Sequence, residues 1–114
     1  MSGMDDVLKE LQLEYIQSIP AKITEIKNFL AQKDIDSLIN SFHKLKGSGK
    51  TYGIAEVSSL GQFFELWMRE KKDSVLPFIP VAAELLQRIY SHRQKNMPFA
   101  IEQDPDFVKL QSIK

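Results

Sequence analysis

Cysteine is absent from this sequence of 114 residues. That excludes disulfides, thiolate nucleophiles and zinc–thiolate centres, and it fits a reducing compartment. Neither sign of charge is in excess, since Lys plus Arg and Asp plus Glu each number 15. A nucleic-acid binder normally carries a basic surplus, so that class is disfavoured. No apolar run approaches the roughly 20 residues of a membrane span. The start of the chain mixes Asp5, Asp6, Lys9 and Glu10 with apolar residues, unlike a secretory leader. Strand-type alternation, internal repeats and low-complexity segments are also missing. No glycine-rich phosphate loop follows a strand, and no H-E-x-x-H or other metal spacing occurs, so a self-contained kinase, hydrolase or metalloenzyme is not expected. At this length one domain is expected, and its expected location is cytoplasmic. Its 43% hydrophobic content supports one core without covalent staples. The intact Met1 and the ordered-looking tail favour a free-standing protein over a domain cut from a larger sensor.

What is present reads almost entirely as helix. Leu8, Leu11, Tyr15 and Ile19 recur at spacings of three and four, predicting a first helix from Met4 to about Ser18. Pro20 either starts a second helix or bends the first, and Ile23, Ile26, Phe29 and Leu30 carry the stripe on to about Gln32. Asp34 suits the N-cap of a helix that sets Ile35, Leu38, Phe42, Leu45 and Tyr52 on one side and ends near Gly53, a C-cap glycine. The next runs from about Ala55 to Glu70 with Val57, Leu60, Phe64 and Trp67 inward. After a polar break at Lys71–Ser74, a last long helix begins between Ser74 and Pro80 and buries Ile79, Ala82 or Ala83, Leu86 and Ile89. The expected fold is all-α: an antiparallel up-down four-helix bundle with an additional N-terminal helix packed across one end. The bundle is expected to occupy residues 1–96, with its core at about 15–95. Residues 97–114 form a tail that admits a short helix capped by Asp104, with Pro105 at its first position.

One segment is ill-suited to stability alone. In Phe42-His43-Lys44-Leu45-Lys46-Gly47-Ser48-Gly49, two glycines each cost about 1 kcal/mol relative to alanine inside a helix. That cost points to a close approach, by a neighbouring helix or by an outside partner. With Phe42 at the centre of the core face, His43 is rotated by about 100° to the boundary with solvent. Ile39, Lys46, Gly47 and Lys50 are read on the same outward stripe. A neutral imidazole is a nitrogen nucleophile near physiological pH. Lys46 and Lys50 could offset the charge of an attached anion, and Gly47 leaves room for a partner's active site. Residue types and spacing alone leave two readings open: an anion-handling site, or a solvated helix face with packing glycines.

The run from His43 to Gly49, followed by Gly53, resembles the signature of histidine-containing phosphotransfer (HPt) domains, H-x-L-K-G-[SA]-[AG]-x-x-x-G, and every fixed position is matched. As architecture the resemblance covers roughly Tyr15 to Tyr90. It implies a four-helix bundle that carries phosphate on a histidine and exchanges it with the aspartate of a response-regulator receiver domain. His43 would be the phosphoacceptor and Lys46 would steady the phosphoryl group. Ile39, Gly47 and Lys50 would belong to the docking surface. On the following helix, Gln62 and Glu65 stand where the family orients the imidazole, with the choice between them open. Partners implied are a receiver domain and a sensor or hybrid histidine kinase, with no nucleic acid or membrane, and the protein would act as a monomer. No resident cofactor is expected, Mg²⁺ being brought by the receiver, and no catalysis without a partner. An HPt-like module that docks partners without phosphate turnover is the alternative.

Two further groups stand apart from this segment. His92 has no ligand-type residues at metal spacing and reads as a solvated, helix-terminal histidine. Phe63 and Leu66 fall off the main stripe, either covering the N-terminal helix or enlarging a partner surface.

Overall fold

The apolar stripes close into helices whose ends are set by local chemistry. The structure is a computed structural model that describes residues 3–114, so Met1 and Ser2 lie outside the described residues. Among the described residues six α-helices follow one another: α1 (Gly3–Gln17), α2 (Ile19–Ala31), α3 (Ile35–Thr51), α4 (Ala55–Lys71), α5 (Ile79–Gln94) and α6 (Pro105–Ile113). Among the described residues there is no strand and no helix long and apolar enough to cross a membrane. Asp34 caps α3 as expected, its Oδ1 accepting from Ser37 N at 3.1 Å. Gly53 adopts φ +74°, where a Cβ would be strained, and reverses the chain between α3 and α4. The polar break after α4 is a 3₁₀ segment, Lys72–Phe78, that holds Pro77, while Pro80 sits in the first turn of α5. There its missing N–H costs nothing.

Helices α2 to α5 form the bundle. Its core holds Ile23 and Ile26 of α2, Leu38, Phe42 and Leu45 of α3, Val57, Leu60, Phe64 and Trp67 of α4, and Ile79, Leu86 and Ile89 of α5. Ala82 and Ala83 are both buried. Phe42 stacks on Phe64 with ring centroids 5.1 Å apart, tying α3 to α4 at mid-height. The N-terminal helix departs from its expected placement across one end. Only Tyr15 and Ile16 of α1 are buried, while Met4, Val7, Leu8 and Leu11 remain exposed. The longest dimension of the molecule is 49 Å, about twice the ~25 Å of a 17-residue helix, because α1 runs on beyond the bundle.

The segment after residue 96 is more than a tail. Asp104 caps α6 by accepting from Asp106 N at 2.9 Å, and it also takes Arg88 NH1 at 3.0 and 2.9 Å. Phe107 sets its ring 5.2 Å from Phe63, which explains why Phe63 lies off the bundle stripe: α6 covers it. Upstream, Glu56 is buried at 5% exposure and accepts from Arg93 Nε (2.8 Å), Arg93 NH2 (2.9 Å) and the backbone N–H of Phe99 (2.9 Å). Burial by itself would push this carboxyl up; the bonds from Arg93 and Phe99 outweigh it and hold it below the ordinary carboxylate range. Glu56→Ala strands Arg93 and the Phe99 N–H together, and is expected to cost about 3 kcal/mol in urea denaturation. Because the folded value lies below the unfolded one, the contribution of Glu56 is complete above pH of about 4.3 and is lost as pH falls through the folded value. Wild-type stability should therefore decline in acid more steeply than that of Glu56→Gln.

Candidate functional site

The approach of α3 to α4 positions His43. Two glycines make it possible. A Cβ on Gly61 would stand 2.5 Å from Lys46 N and 2.6 Å from Phe42 O, and one on Gly49 would stand 2.6 Å from Ser58 N. Either would collide with backbone, so both glycines exist for close packing of the two helices. Ser58 Oγ adds a bond of 2.8 Å to Lys46 O from the facing helix. Gly47 is different, since a Cβ there meets nothing within 4 Å. Its cost in helix propensity, about 1 kcal/mol, has no return inside the molecule. The two explanations the sequence left for these glycines thus divide between them: Gly49 serves a neighbouring helix, and Gly47 leaves an open patch of helix surface.

His43 stands on that surface with its side chain 61% exposed. Its Nδ1 lies 3.0 Å from Glu65 Oε2, one turn along α4 from Gly61. The same oxygen accepts from Arg69 Nε at 3.0 Å and Arg69 NH2 at 2.8 Å. Burial alone would push the Glu65 carboxyl up; the bonds from Arg69 and His43 outweigh it and hold it below the usual carboxylate range. An ionised carboxylate can only accept, so Nδ1 carries the hydrogen, and in the neutral ring the lone pair is on Nε2. This settles which of two side chains reaches the ring. Gln62 is exposed and bonds to no part of it, whereas Glu65 does.

Lys46, half-buried, and Lys50, exposed, lie three and seven residues beyond His43 on α3. Neither forms an ion pair among the described residues. Lys46 is one helical turn from His43 and Lys50 two turns, and both carry their charge on the same helix as the ring. Ile39 requires correction. Expected on the outward stripe, it is only 7% exposed and belongs to the core. It lies one turn before His43 on α3, and its side chain joins the core cluster instead of facing outward. Arg69 was missed by the sequence reading. The signal for it was a glutamate followed four residues later by an arginine on one helix, the favourable order for an ion pair. His92 is half-buried, with Nδ1 2.9 Å from Arg88 O and its ring against Phe99, so it is a packing residue rather than a second site. No group of three or more His, Asp or Glu side chains among the described residues could hold a metal ion.

Fold and site together define a class: a helical bundle that presents one oriented, solvent-facing histidine beside uncommitted lysines and a bare stretch of helix. The family model described as Hpt domain matches residues 10–98, which is most of the chain, and the chain belongs to that family. Its members are the histidine phosphotransfer modules of phosphorelays, working with two-component kinases and receivers rather than as classical enzymes. Comparison with curated proteins and with solved structures gave no match.

Proposed function

We propose that this protein is a monomeric, cytoplasmic phosphorelay intermediate that carries a phosphoryl group on Nε2 of His43 and exchanges it with the aspartate of a response-regulator receiver domain. The observation that carries the reading is the exposed imidazole whose Nδ1 is engaged by Glu65, leaving Nε2 free. In the accepting direction the Nε2 lone pair attacks phosphorus and the P–O bond to the receiver aspartate breaks. The aspartate leaves as a carboxylate with the bonding pair, and the Nδ1 hydrogen stays in place on the ring. No proton has to be removed from the nucleophile. Such a transfer depends on in-line positioning and charge neutralisation more than on covalent machinery. The receiver would contribute Mg²⁺, and a sensor or hybrid kinase stands at the head of the relay. Lys46 supplies charge to the transferred group, Gly47 leaves space for the receiver's active-site loops, and Lys50 belongs to the docking surface.

The test is incubation with a phosphorylated receiver domain, followed by mass spectrometry of acid-labile phosphate on the protein. A phosphate mapped to His43 supports the reading. Stable receiver binding without transfer would favour a docking module instead. Lys46→Ala should slow transfer by roughly 10-fold while receiver affinity changes little. That is below the loss of about 10²–10³ at a buried oxyanion donor, because this lysine is partly solvated. Rapid-quench transfer rates beside equilibrium binding check the split.

A further inference from the structure

Arg69 spends two of its donors on an oxygen that the imidazole already uses. Glu65 Oε2 accepts from His43 Nδ1 at 3.0 Å, Arg69 Nε at 3.0 Å and Arg69 NH2 at 2.8 Å. The Glu65 side chain is only 8% exposed, while those of Arg69 and His43 are 54% and 61% exposed. A carboxylate so removed from water needs a cation. Two candidates touch it, and only one of them is always charged, the guanidinium. If Arg69 were absent, Glu65 would be compensated either by taking up a proton itself or by a second proton on the ring it touches. Imidazolium has no lone pair at Nε2 and cannot attack phosphorus.

We infer that Arg69 is a positioning residue for the phosphoacceptor: by neutralising and holding Glu65, it fixes the orientation of the His43 ring and weakens the pull of that carboxylate for a second ring proton. The inference rests on the phosphotransfer reading above. The other charged groups near the ring act in a consistent sense. Lys44, Lys46 and Lys50 on α3 all oppose a second proton, and none of them pairs with Glu65. On α2, Glu25 lies toward the opposite flank, where Ser41 Oγ is 3.4 Å from its carboxylate. Among the described residues Glu65 is thus the one acid in contact with the ring, and Arg69 sets how strongly that acid favours imidazolium. In the transfer step the Nε2–P bond forms and the aspartyl P–O bond breaks, while Arg69 and Glu65 exchange no proton. As the bond forms, the ring keeps its Nδ1 hydrogen and takes up positive charge, which the Glu65 carboxylate faces at 3.0 Å.

The experiment is an NMR titration of the His43 ring in the wild type, Arg69→Gln, Arg69→Lys, Glu65→Gln and the double variant Glu65→Gln/Arg69→Gln. It is paired with transfer from a phosphorylated receiver at pH 6.5 and pH 8.5. In Arg69→Gln the titration midpoint of His43 should rise above that of the wild type by about half to one pH unit, the size of effect expected when a single opposite charge near the ring becomes uncompensated. Transfer at pH 6.5 should fall about two- to fivefold and recover at pH 8.5, because the fraction of neutral ring falls by that factor. Arg69→Lys should restore most of both. In the Glu65→Gln background, Arg69→Gln should have little further effect, because there is no charge left to neutralise. An unchanged midpoint in Arg69→Gln would overturn the inference. So would a transfer defect of equal size at both pH values that persists in the Glu65→Gln background, which would mark Arg69 as a docking or purely structural group. If no variant, including the wild type, accepts phosphate, the phosphotransfer reading fails, and the midpoints still decide whether Arg69 controls the charge on the ring.

Discussion

His43→Gln is expected to abolish phosphoryl acceptance altogether while leaving the fold in place. The exposed imidazole is the nucleophile on which the proposed transfer depends, and glutamine keeps a polar side chain near Glu65 without a nucleophilic ring nitrogen. The side chain is 61% exposed and lies outside the core stripe. Exposed substitutions of this kind usually change stability by less than about 0.5 kcal/mol. Its bond to Glu65 adds little to the balance, because Arg69 continues to satisfy the carboxylate. Far-UV circular dichroism and thermal melting should therefore match the wild type, while acid-labile phosphate disappears. Undiminished phosphate on the variant would move the acceptor elsewhere. His92 is the only other histidine in the chain; its Nδ1 is bonded to Arg88 O and its ring is half-buried.

The second large effect contrasts two glycines on facing helices. Gly47→Gln should block transfer sterically, because the new side chain occupies open surface one turn beyond His43 where a receiver has to approach. The isolated protein should be no less stable, and more stable by up to about 1 kcal/mol from helix propensity. Gly61→Ala should do the reverse. A single methyl there would meet Lys46 N and Phe42 O at 2.5 and 2.6 Å, backbone atoms that cannot rotate away. Overpacking of this kind costs about 1–3 kcal/mol, and separation of α3 from α4 would also carry Glu65 away from the ring. Urea denaturation beside transfer rates distinguishes the two: lost transfer at full stability for Gly47→Gln, lost stability with impaired transfer for Gly61→Ala. Near wild-type transfer by Gly47→Gln would place receiver docking on another face.

Leu38, Phe42 and Leu45 recur at spacings that admit one helical face, so the position of His43 at the edge of that face was legible before any tertiary information. Helix boundaries at Asp34 and Gly53 were legible for the same reason, since a cap or a positive φ is a property of a few neighbouring residues. Ile39 was misplaced because its angle on α3 is only slightly off that of His43. Such an angle gives direction about the helix axis but not how near the next helix lies. The last eighteen residues read weakly because their anchors are long-range: Glu56 to Phe99 spans 43 positions, and Phe63 to Phe107 joins α4 to α6.

The sequence by itself determined an all-helical chain, a histidine at the boundary of a core face, and a motif specific enough to indicate phosphotransfer. The first two follow from periodicity and local chemistry, which act within a turn or two of one helix, and the third from the resemblance of the motif to the HPt signature. Only the tertiary structure decided that Glu65 rather than Gln62 meets the ring, that Arg69 shares its oxygen, and that Gly49 and Gly61 pack while Gly47 stays open. Each of those depends on the distance and stagger between α3 and α4. That geometry is set where backbone meets backbone at Gly61, and neither helix encodes it without the other.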